Sequence, residues 1–170
     1  MTSLQDLRLI VLDVDGVLTD GTVHLGGHGD TEVKAFHTRD GAGLAVWRDA
    51  GYHTTFITGR GGAAVERRAR ELRIERIWQN VRVKTEAFQE VLEHFDATPE
   101  QVIVMGDDIL DLGILRLAGL SACPADAARD VIERVDYVAP SAGGHGAVRD
   151  LVEHVLRGRK EWDDLVERLC

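Results

Sequence analysis

Two aspartates, Asp13 and Asp15, come directly after an apolar run at residues 9–12 and are followed at once by Gly16. The run predicts a strand buried on both faces, and the glycine predicts a turn. In open α/β sheets, ligands bind just outside the carboxyl ends of such strands. Two carboxylates about 4 Å apart repel by roughly 4 kcal/mol at an effective dielectric of 20. A hard cation such as Mg²⁺ is the simplest partner for both, although Asp is also common as a turn or cap residue.

The rest of the chain alternates short apolar runs with longer helical patterns. Strands are predicted over residues 9–12, 54–57, 76–78, 101–105, 120–122 and 137–138, and helices over 42–50, 63–72, 85–94, 109–118, 127–134, 147–156 and 161–169. This rhythm predicts an α/β fold, a Rossmann-like three-layer α/β/α sandwich with a parallel central sheet. The length of 170 residues fits one domain covering the whole chain.

One segment breaks this rhythm. Residues 22–36 hold two short alternating runs around a glycine-rich turn, which predicts a β-hairpin that could overhang the acidic loop as a flap. No stretch is long enough for a separate cap domain. In the last helix, about residues 161–169, Trp162, Leu165, Val166 and Leu169 form an apolar stripe. That stripe packs either on its own domain or against a neighbouring subunit.

Composition narrows the partners and the compartment. The net charge of −9 argues against a general nucleic-acid or anionic-membrane partner. No run approaches the roughly 20 apolar residues of a membrane helix, and the N-terminus lacks a signal-peptide pattern. Cys123 and Cys170 give no disulfide framework, so a reducing cytoplasm is expected.

Three further signals follow predicted strands. Thr58 and Gly59 come after the second run and suit a phosphate cradle, although such residues also simply cap helices. Lys84 opens a helical pattern. Most lysines in proteins are exposed, so the alternative for Lys84 is a plain surface residue. After another buried run come Asp107, Asp108 and Asp111, which could also be the acidic start of a helix.

Together these residues resemble the four ordered motifs of the haloacid dehalogenase superfamily of phosphohydrolases. The resemblance implies that Asp13 is a nucleophile forming an aspartyl-phosphate and that Asp15 is the general acid and base. It implies that Thr58 and Lys84 bind the phosphoryl group, with Lys84 also balancing the nucleophile. The implied Mg²⁺ ligands are Asp13, the main-chain carbonyl of Asp15, and Asp107, while Asp108 and Asp111 are further metal-binding or supporting carboxylates.

Within the superfamily the chain resembles the 3-deoxy-D-manno-octulosonate 8-phosphate phosphatases over nearly its whole length. Besides the motifs above, the resemblance includes the hairpin, the segments at residues 34–36 and 39–43, and the glycine-rich segment at residues 143–149. It implies a sugar-phosphate substrate, a role in lipopolysaccharide biosynthesis, and a homotetramer in which a neighbour closes each active site.

The choice of sugar depends on basic residues near the motifs. Arg60 suits bidentate capture of a substrate carboxylate, whereas a relative acting on 2-keto-3-deoxynononate 9-phosphate tends to carry Glu there. The alternative for Arg60 is a solvated helix-start arginine. Arg39 and Asp40 either bind sugar or pair with each other on the surface.

Four departures from the family pattern affect the substrate more than the chemistry. They are His37, Gly61, Asn80 and Val83. A nine-carbon sugar acid phosphate or a broader range of monoesters is therefore an alternative. A non-enzymatic subunit that binds a sugar nucleotide or a synthase is a third hypothesis, which the intact catalytic motifs disfavour.

Overall fold

The fold is built on a six-stranded parallel sheet. The computed structural model describes residues 3–24 and 32–168 of the chain. Its strands are β1 Leu9–Leu12, β2 His53–Ile57, β3 Ile77–Trp78, β4 Val102–Met105, β5 Leu120–Cys123 and β6 Tyr137–Val138. Every pairing is parallel, and the order across the sheet is β3-β2-β1-β4-β5-β6. Each strand predicted from the sequence is present to within a residue at either end, and the α/β class is confirmed.

The helices lie at the predicted positions, but the fourth, fifth and seventh are shorter than predicted by more than one residue. They are α1 Thr38–Asp49, α2 Ala63–Glu71, α3 Lys84–Phe95, α4 Leu112–Leu115, α5 Arg129–Ile132, α6 Ala147–Gly158 and α7 Trp162–Glu167. The segment predicted as a helix over 109–118 is a 3₁₀ turn, Ile109–Asp111, followed by the single turn of α4. At this 3₁₀ turn, the side chains of Asp108 and Asp111 accept the backbone N–H groups of residues 107–109, which have no partner within the turn itself.

The strands divide the core into two layers by simple alternation. From β1, Ile10 and Leu12 pack with α1, α2 and α6 on one face, while Leu9 and Val11 pack with α3 and α4 on the other. All four residues of β1, and all four of β4, are buried. Each such side chain contributes about 1.5–3 kcal/mol of hydrophobic free energy, so the fold is anchored at these central strands. The result is the three-layer α/β/α arrangement.

The strand order fixes the position of the site. The order reverses between β1 and β4, because β2 and β3 lie on one side of β1 while β5 and β6 lie on the other side of β4. The loops leaving the carboxyl ends of β1 and β4 therefore diverge and leave a crevice, which is where open α/β sheets bind ligands. Asp13 follows β1, Asp107 follows β4 and Thr58 follows β2, so all three motifs reach this one edge.

The predicted hairpin and the last helix are described in part. A single antiparallel bridge joins His24 to Val33, and the glycine-rich turn between them lies outside the described residues. In α7, Trp162 and Leu165 are buried against the domain itself, whereas Val166 is exposed and Leu169 lies beyond the described part of the chain. No helix in the described ranges is both long enough and apolar enough to span a membrane.

Candidate active site

The loop after β1 brings Asp13 to the edge of the sheet and then turns sharply. The Asp13 N–H donates to the Met105 carbonyl at 3.0 Å, which extends the ladder between β1 and β4 by one residue. Gly16 then adopts φ +92°, and a Cβ on it would lie 2.1 Å from Oδ2 of Asp107. The loops after β1 and β4 can approach this closely only because residue 16 has no side chain.

Lys84 connects two of the carboxylates. Its Nζ lies 2.6 Å from Oδ1 of Asp13 and 2.5 Å from Oδ1 of Asp111, and all three side chains are at most 10% exposed. Lys84 is the first residue of α3. Its ammonium therefore enters the crevice from α3, whereas Asp13 enters it from the loop after β1. Burial disfavours the charged lysine, but the two carboxylates outweigh it and raise the pKa of Lys84.

Three carboxylates converge around this lysine. Asp13, Asp107 and Asp111 each place an oxygen within 4.8 Å of the others. Burial raises the pKa of Asp13, and burial together with the charges of Asp13, Asp111 and Asp108 raises the pKa of Asp107 to about 7. Within the described ranges no hydrogen-bond donor is directed at the Asp107 carboxylate. Buried like-charged carboxylates with one lysine among them suit a hard divalent cation, for which oxygen is the preferred ligand.

The acidic segment after β4 is held in shape by its own side chains. Oδ2 of Asp111 accepts the backbone N–H groups of Asp107 at 3.1 Å and Asp108 at 3.3 Å. Asp108 is exposed and accepts the Ile109 N–H at 2.7 Å, so it caps the following turn. The resemblance implied one shared role for Asp108 and Asp111, but the structure separates their positions. Asp111 lies among the closely spaced carboxylates, while Asp108 lies on the rim.

Thr58 and Gly59 follow β2 as predicted. Thr58 is fully buried, and its N–H donates to the Trp78 carbonyl at 2.9 Å, which continues the ladder between β2 and β3. Its hydroxyl lies 3.0 Å from the Arg60 carbonyl and 3.2 Å from the Arg60 nitrogen. Because the hydroxyl is part of this tight turn, its position at the cavity is fixed by the backbone.

Asp15 faces a separate group of charges. Nζ of Lys34 bonds Oδ1 of Asp15, and Nε of Arg60 lies 3.8 Å from Oδ2. Glu32 joins the same group, because its Oε1 lies 3.2 Å from Lys34 Nζ and 3.0 Å from Arg60 Nη2. Oδ2 of Asp15 is buried and accepts no hydrogen bond from the described part of the chain, although the Arg60 guanidinium lies beside it.

The part played by Glu32 and Lys34 was not predicted from the sequence. The available signal was the alternation in the second run of the hairpin, which places both side chains on one face of an extended segment. That face turns toward the acidic loop. Asp15 is therefore neutralised by the stem of the hairpin, a segment expected only to overhang the site.

The site residues enclose one cavity of about 380 Å³, which is large enough for a small-molecule ligand. Its lining comprises Asp13, Asp15, Gly21, Thr58, Gly59, Arg60, Val81, Arg82, Lys84, Asp107, Asp108, Leu110 and Asp111. Arg82 was not predicted, although its place two residues before Lys84 was a usable signal. Arg82 adds a second arginine beside Arg60 at this cavity.

Within the described residues, Arg39 and Asp40 do not pair with each other. Arg39 is exposed on the first turn of α1 and is not among the described residues that line the cavity. Asp40 is buried and accepts the backbone N–H groups of Gly146 at 3.3 Å and Arg149 at 3.0 Å. Asp40 therefore secures the start of α6 instead of pairing with Arg39 or facing the cavity.

Comparisons with known proteins agree with this geometry. A family model described as haloacid dehalogenase-like hydrolase matches residues 76–151. The chain is 40% identical over 164 residues to the 3-deoxy-D-manno-octulosonate 8-phosphate phosphatase KdsC of Salmonella typhi, covering 96% of this chain and 87% of the relative.

Two solved structures are similar over almost the whole fold. A phosphatase of the same name from Moraxella catarrhalis, crystallised with magnesium, phosphate and KDO, has a TM-score of 0.94 at 32% identity and covers 99% of this chain and 96% of its own. The cobalt-bound phosphatase from Haemophilus influenzae has a TM-score of 0.89 at 33% identity, with 93% and 92% covered.

Proposed function

This chain belongs to the family of the 3-deoxy-D-manno-octulosonate 8-phosphate phosphatases within the haloacid dehalogenase-like hydrolases, and on that premise we propose that it is a Mg²⁺-dependent phosphomonoester hydrolase. Its proposed substrate is 3-deoxy-D-manno-octulosonate 8-phosphate. The observation that supports this most directly is the convergence of Asp13, Asp107, Asp111 and Lys84 in the cavity that also exposes Asp15.

The proposed reaction has two displacements at phosphorus. A carboxylate oxygen of Asp13 attacks, the ester P–O bond breaks, and Asp15 donates a proton to the departing alkoxide. Water then attacks the aspartyl-phosphate, Asp15 takes the proton from that water, and the bond between Asp13 and phosphorus breaks. Phosphate monoesters are among the slowest substrates to hydrolyse without a catalyst, and two displacements split one difficult step into two easier ones.

The remaining residues bind and orient the phosphoryl group. The Lys84 ammonium balances Asp13 and the phosphoryl oxygens, while the Thr58 hydroxyl and the Gly59 backbone cradle the group from the β2 side. Asp13, Asp107 and the Asp15 carbonyl would hold Mg²⁺, which supplies charge neutralisation between the nucleophile and the phosphate dianion. Asp111 supports this arrangement by fixing Lys84 and the backbone of Asp107.

Arg60 is the proposed carboxylate-binding residue of the sugar site. Its guanidinium lies at the cavity and is about half exposed, so it can reach a ligand that enters from the solvent. A planar guanidinium pairs with a carboxylate in a bidentate way. The phosphate ester of a sugar without a carboxylate cannot form this second charged contact. Arg39 lies away from the cavity, so a role for it in this site would need a neighbouring subunit.

The test is phosphate release from a panel of monoesters, with Asp13→Asn as the blank. The 8-phosphate should give the highest kcat/KM, the 9-phosphate of a nine-carbon sugar acid a lower value, and EDTA should abolish both. A higher kcat/KM on the nine-carbon ester would change the substrate assignment. No turnover of any sugar acid phosphate would defeat the substrate claim.

We further infer that the single domain acts in the cytoplasm as a homotetramer. The support is the family resemblance, together with the exposed apolar side chains of Ile109 and Leu110 beside the cavity. Light scattering after gel filtration should then give about four times the chain mass of 18.7 kDa. A fully active species with the mass of one chain would contradict the tetramer.

A further inference from the structure

The strongest feature outside the proposed chemistry is the occupation of Arg60 by a carboxylate of the protein itself. Nη2 of Arg60 lies 3.0 Å from Oε1 of Glu32, and the same oxygen lies 3.2 Å from Nζ of Lys34. Glu32 is 18% exposed and Arg60 is 49% exposed. Arg60 lines the cavity of the candidate active site, and Glu32 contacts it from the hairpin stem beside that cavity.

The contact between Glu32 and Arg60 is of the same kind as the contact expected between a sugar acid carboxylate and Arg60. A carboxylate on the arginine that faces the cavity is the contact through which a carboxylated substrate would be recognised. Although partial burial favours its neutral form, hydrogen bonds from Lys34 and Arg60 lower the pKa of Glu32, so it is ionised at neutral pH. The stem of the hairpin therefore offers Arg60 an internal anion.

We propose that Glu32 is a specificity-determining residue, which occupies Arg60 until a ligand supplies a carboxylate of its own. The inference rests on the proposed sugar acid phosphate as the substrate. A ligand with both a phosphate and a carboxylate exchanges one charged pair for another at Arg60. A ligand with only a phosphate leaves Glu32 and Arg60 paired, and gains nothing at this position.

The proposal has a measurable consequence for affinity. When the competent state of a site is only partly populated, the apparent affinity falls by the competent fraction. Removing the Glu32 charge breaks the closer of the two ion pairs of Arg60 and leaves the longer 3.8 Å contact with Asp15, so it should tighten the binding of carboxylated esters. A general loss of negative charge near the cavity would instead tighten the binding of all phosphate esters alike, because every one of them is anionic.

The experiment is calorimetric binding to Asp13→Asn protein, which cannot turn the ligand over. Two ligands are compared, 3-deoxy-D-manno-octulosonate 8-phosphate and ribose 5-phosphate, which has no carboxylate. Adding Glu32→Gln should lower Kd for the first ligand at least about fivefold and change Kd for the second less than about twofold. Glu32→Ala should give the same pattern, which guards against an effect peculiar to glutamine.

Two controls isolate the pair. Glu133→Gln removes another glutamate that pairs with an arginine, at 2.7 Å from Arg129, and should change neither Kd. In an Arg60→Met background, Glu32→Gln should no longer affect the carboxylated ligand. Melting temperatures of all variants establish that each is folded.

Three results would overturn the proposal. They are equal tightening of both ligands, no change for either, and weaker binding of the carboxylated ligand, which would mean that Glu32 orients Arg60 for the substrate.

Failure of the proposed function looks different, because the unmodified protein would then hydrolyse no sugar acid phosphate. The binding comparison still decides the role of Glu32 in that case, and absence of any binding of the 8-phosphate counts against it.

Discussion

Each of the two leading aspartates has its own lysine, and this division suits two different tasks. Asp13 is held by Lys84 from α3, while Asp15 is held by Lys34 from the hairpin stem. The proposed nucleophile has to stay in place, and Lys84 is fixed between Asp13 and Asp111. The proposed general acid has to exchange a proton with the substrate, and Oδ2 of Asp15 accepts no hydrogen bond from the described part of the chain, which suits that role.

Lys84→Met should show how much the buried charges depend on this lysine. At pH 8 the substitution leaves Asp13 and Asp111 buried without a cation, so the free energy of unfolding should fall by about 3 kcal/mol. At pH 5 the loss should be smaller, because burial raises the pKa of Asp13 to about 6, so this carboxyl is already largely protonated and Lys84 has one fewer anion to balance. Urea unfolding at both pH values measures this. Lys160→Met, at an exposed position, is the matched control, and an equal loss at both pH values would contradict the argument.

Among the elements, the segment before α6 supports the loop that carries Asp13. A Cβ on Gly143 would lie 1.9 Å from the Gly16 carbonyl, and the Gly144 N–H donates to the Val17 carbonyl at 2.9 Å. Asp126 fixes this segment by accepting the Gly143 N–H at 2.8 Å. The glycine-rich segment was recognised in the sequence by resemblance alone, and close backbone packing is its physical reason.

Gly143→Ala should therefore act on catalysis more than on the stability of the fold. The methyl group must displace the loop after β1, and small displacements of a reacting group cost up to about a hundredfold in rate. We expect kcat to fall at least about tenfold, measured by phosphate release at saturating substrate. Gly158→Ala is the control, because its Cβ would meet only the flexible end of Leu4, and its kcat should be unchanged. An unaltered kcat for Gly143→Ala would show that the loop accommodates the methyl group.

Asp40 links α1 to the start of α6, so its removal should lower the free energy of unfolding. Asp40→Ala leaves the buried N–H groups of Gly146 and Arg149 without their acceptor, which costs about 1–3 kcal/mol in the free energy of unfolding. Asp49→Ala, at an exposed carboxylate of the same helix, should change it by less than about 0.5 kcal/mol. Urea unfolding of the two variants tests this, and equal effects would argue against a specific role for Asp40.

The sequence predicted strands and motif positions well and side-chain partners poorly. β1 and β4 were predictable because uninterrupted apolar runs are typical of strands buried on both faces. The length of α4 was overestimated, since apolar periodicity does not distinguish the 3₁₀ turn at Ile109–Asp111 from a turn of α-helix. The partners of Asp15 and Asp40 could not be predicted, because Lys34 and Gly146 reach them through the tertiary fold.

For the whole molecule, the strand order gathers negative charge at one edge of the sheet. The chain carries a net charge of −9, and the acidic motifs after β1 and β4 meet at the point where the order reverses. Burial and mutual repulsion raise the pKa of Asp107 to about 7, far above its ordinary 3.8. The metal-free protein therefore keeps its site at a cost in stability, which a divalent cation should remove.

The stability of the metal-free protein should consequently fall as pH rises. Between about pH 4 and 7 the folded state holds a proton on Asp107 that the unfolded state has released, so the free energy of unfolding decreases with pH across this window. Asp107→Asn cannot ionise there, so in EDTA its melting temperature should exceed that of the unmodified protein at pH 7.5 and match it near pH 4.

Mg²⁺ should raise the melting temperature of the unmodified protein at pH 7.5, since a ligand that binds only the folded state stabilises it, and should have little effect on Asp107→Asn. Thermal melting by circular dichroism compares the unmodified protein with Asp107→Asn, each with and without Mg²⁺. Asp49→Asn is the control for loss of an exposed carboxylate. If Asp107→Asn in EDTA melted below the unmodified protein at pH 7.5, the carboxylate would be stabilising the metal-free fold, and the argument from gathered charge would be wrong.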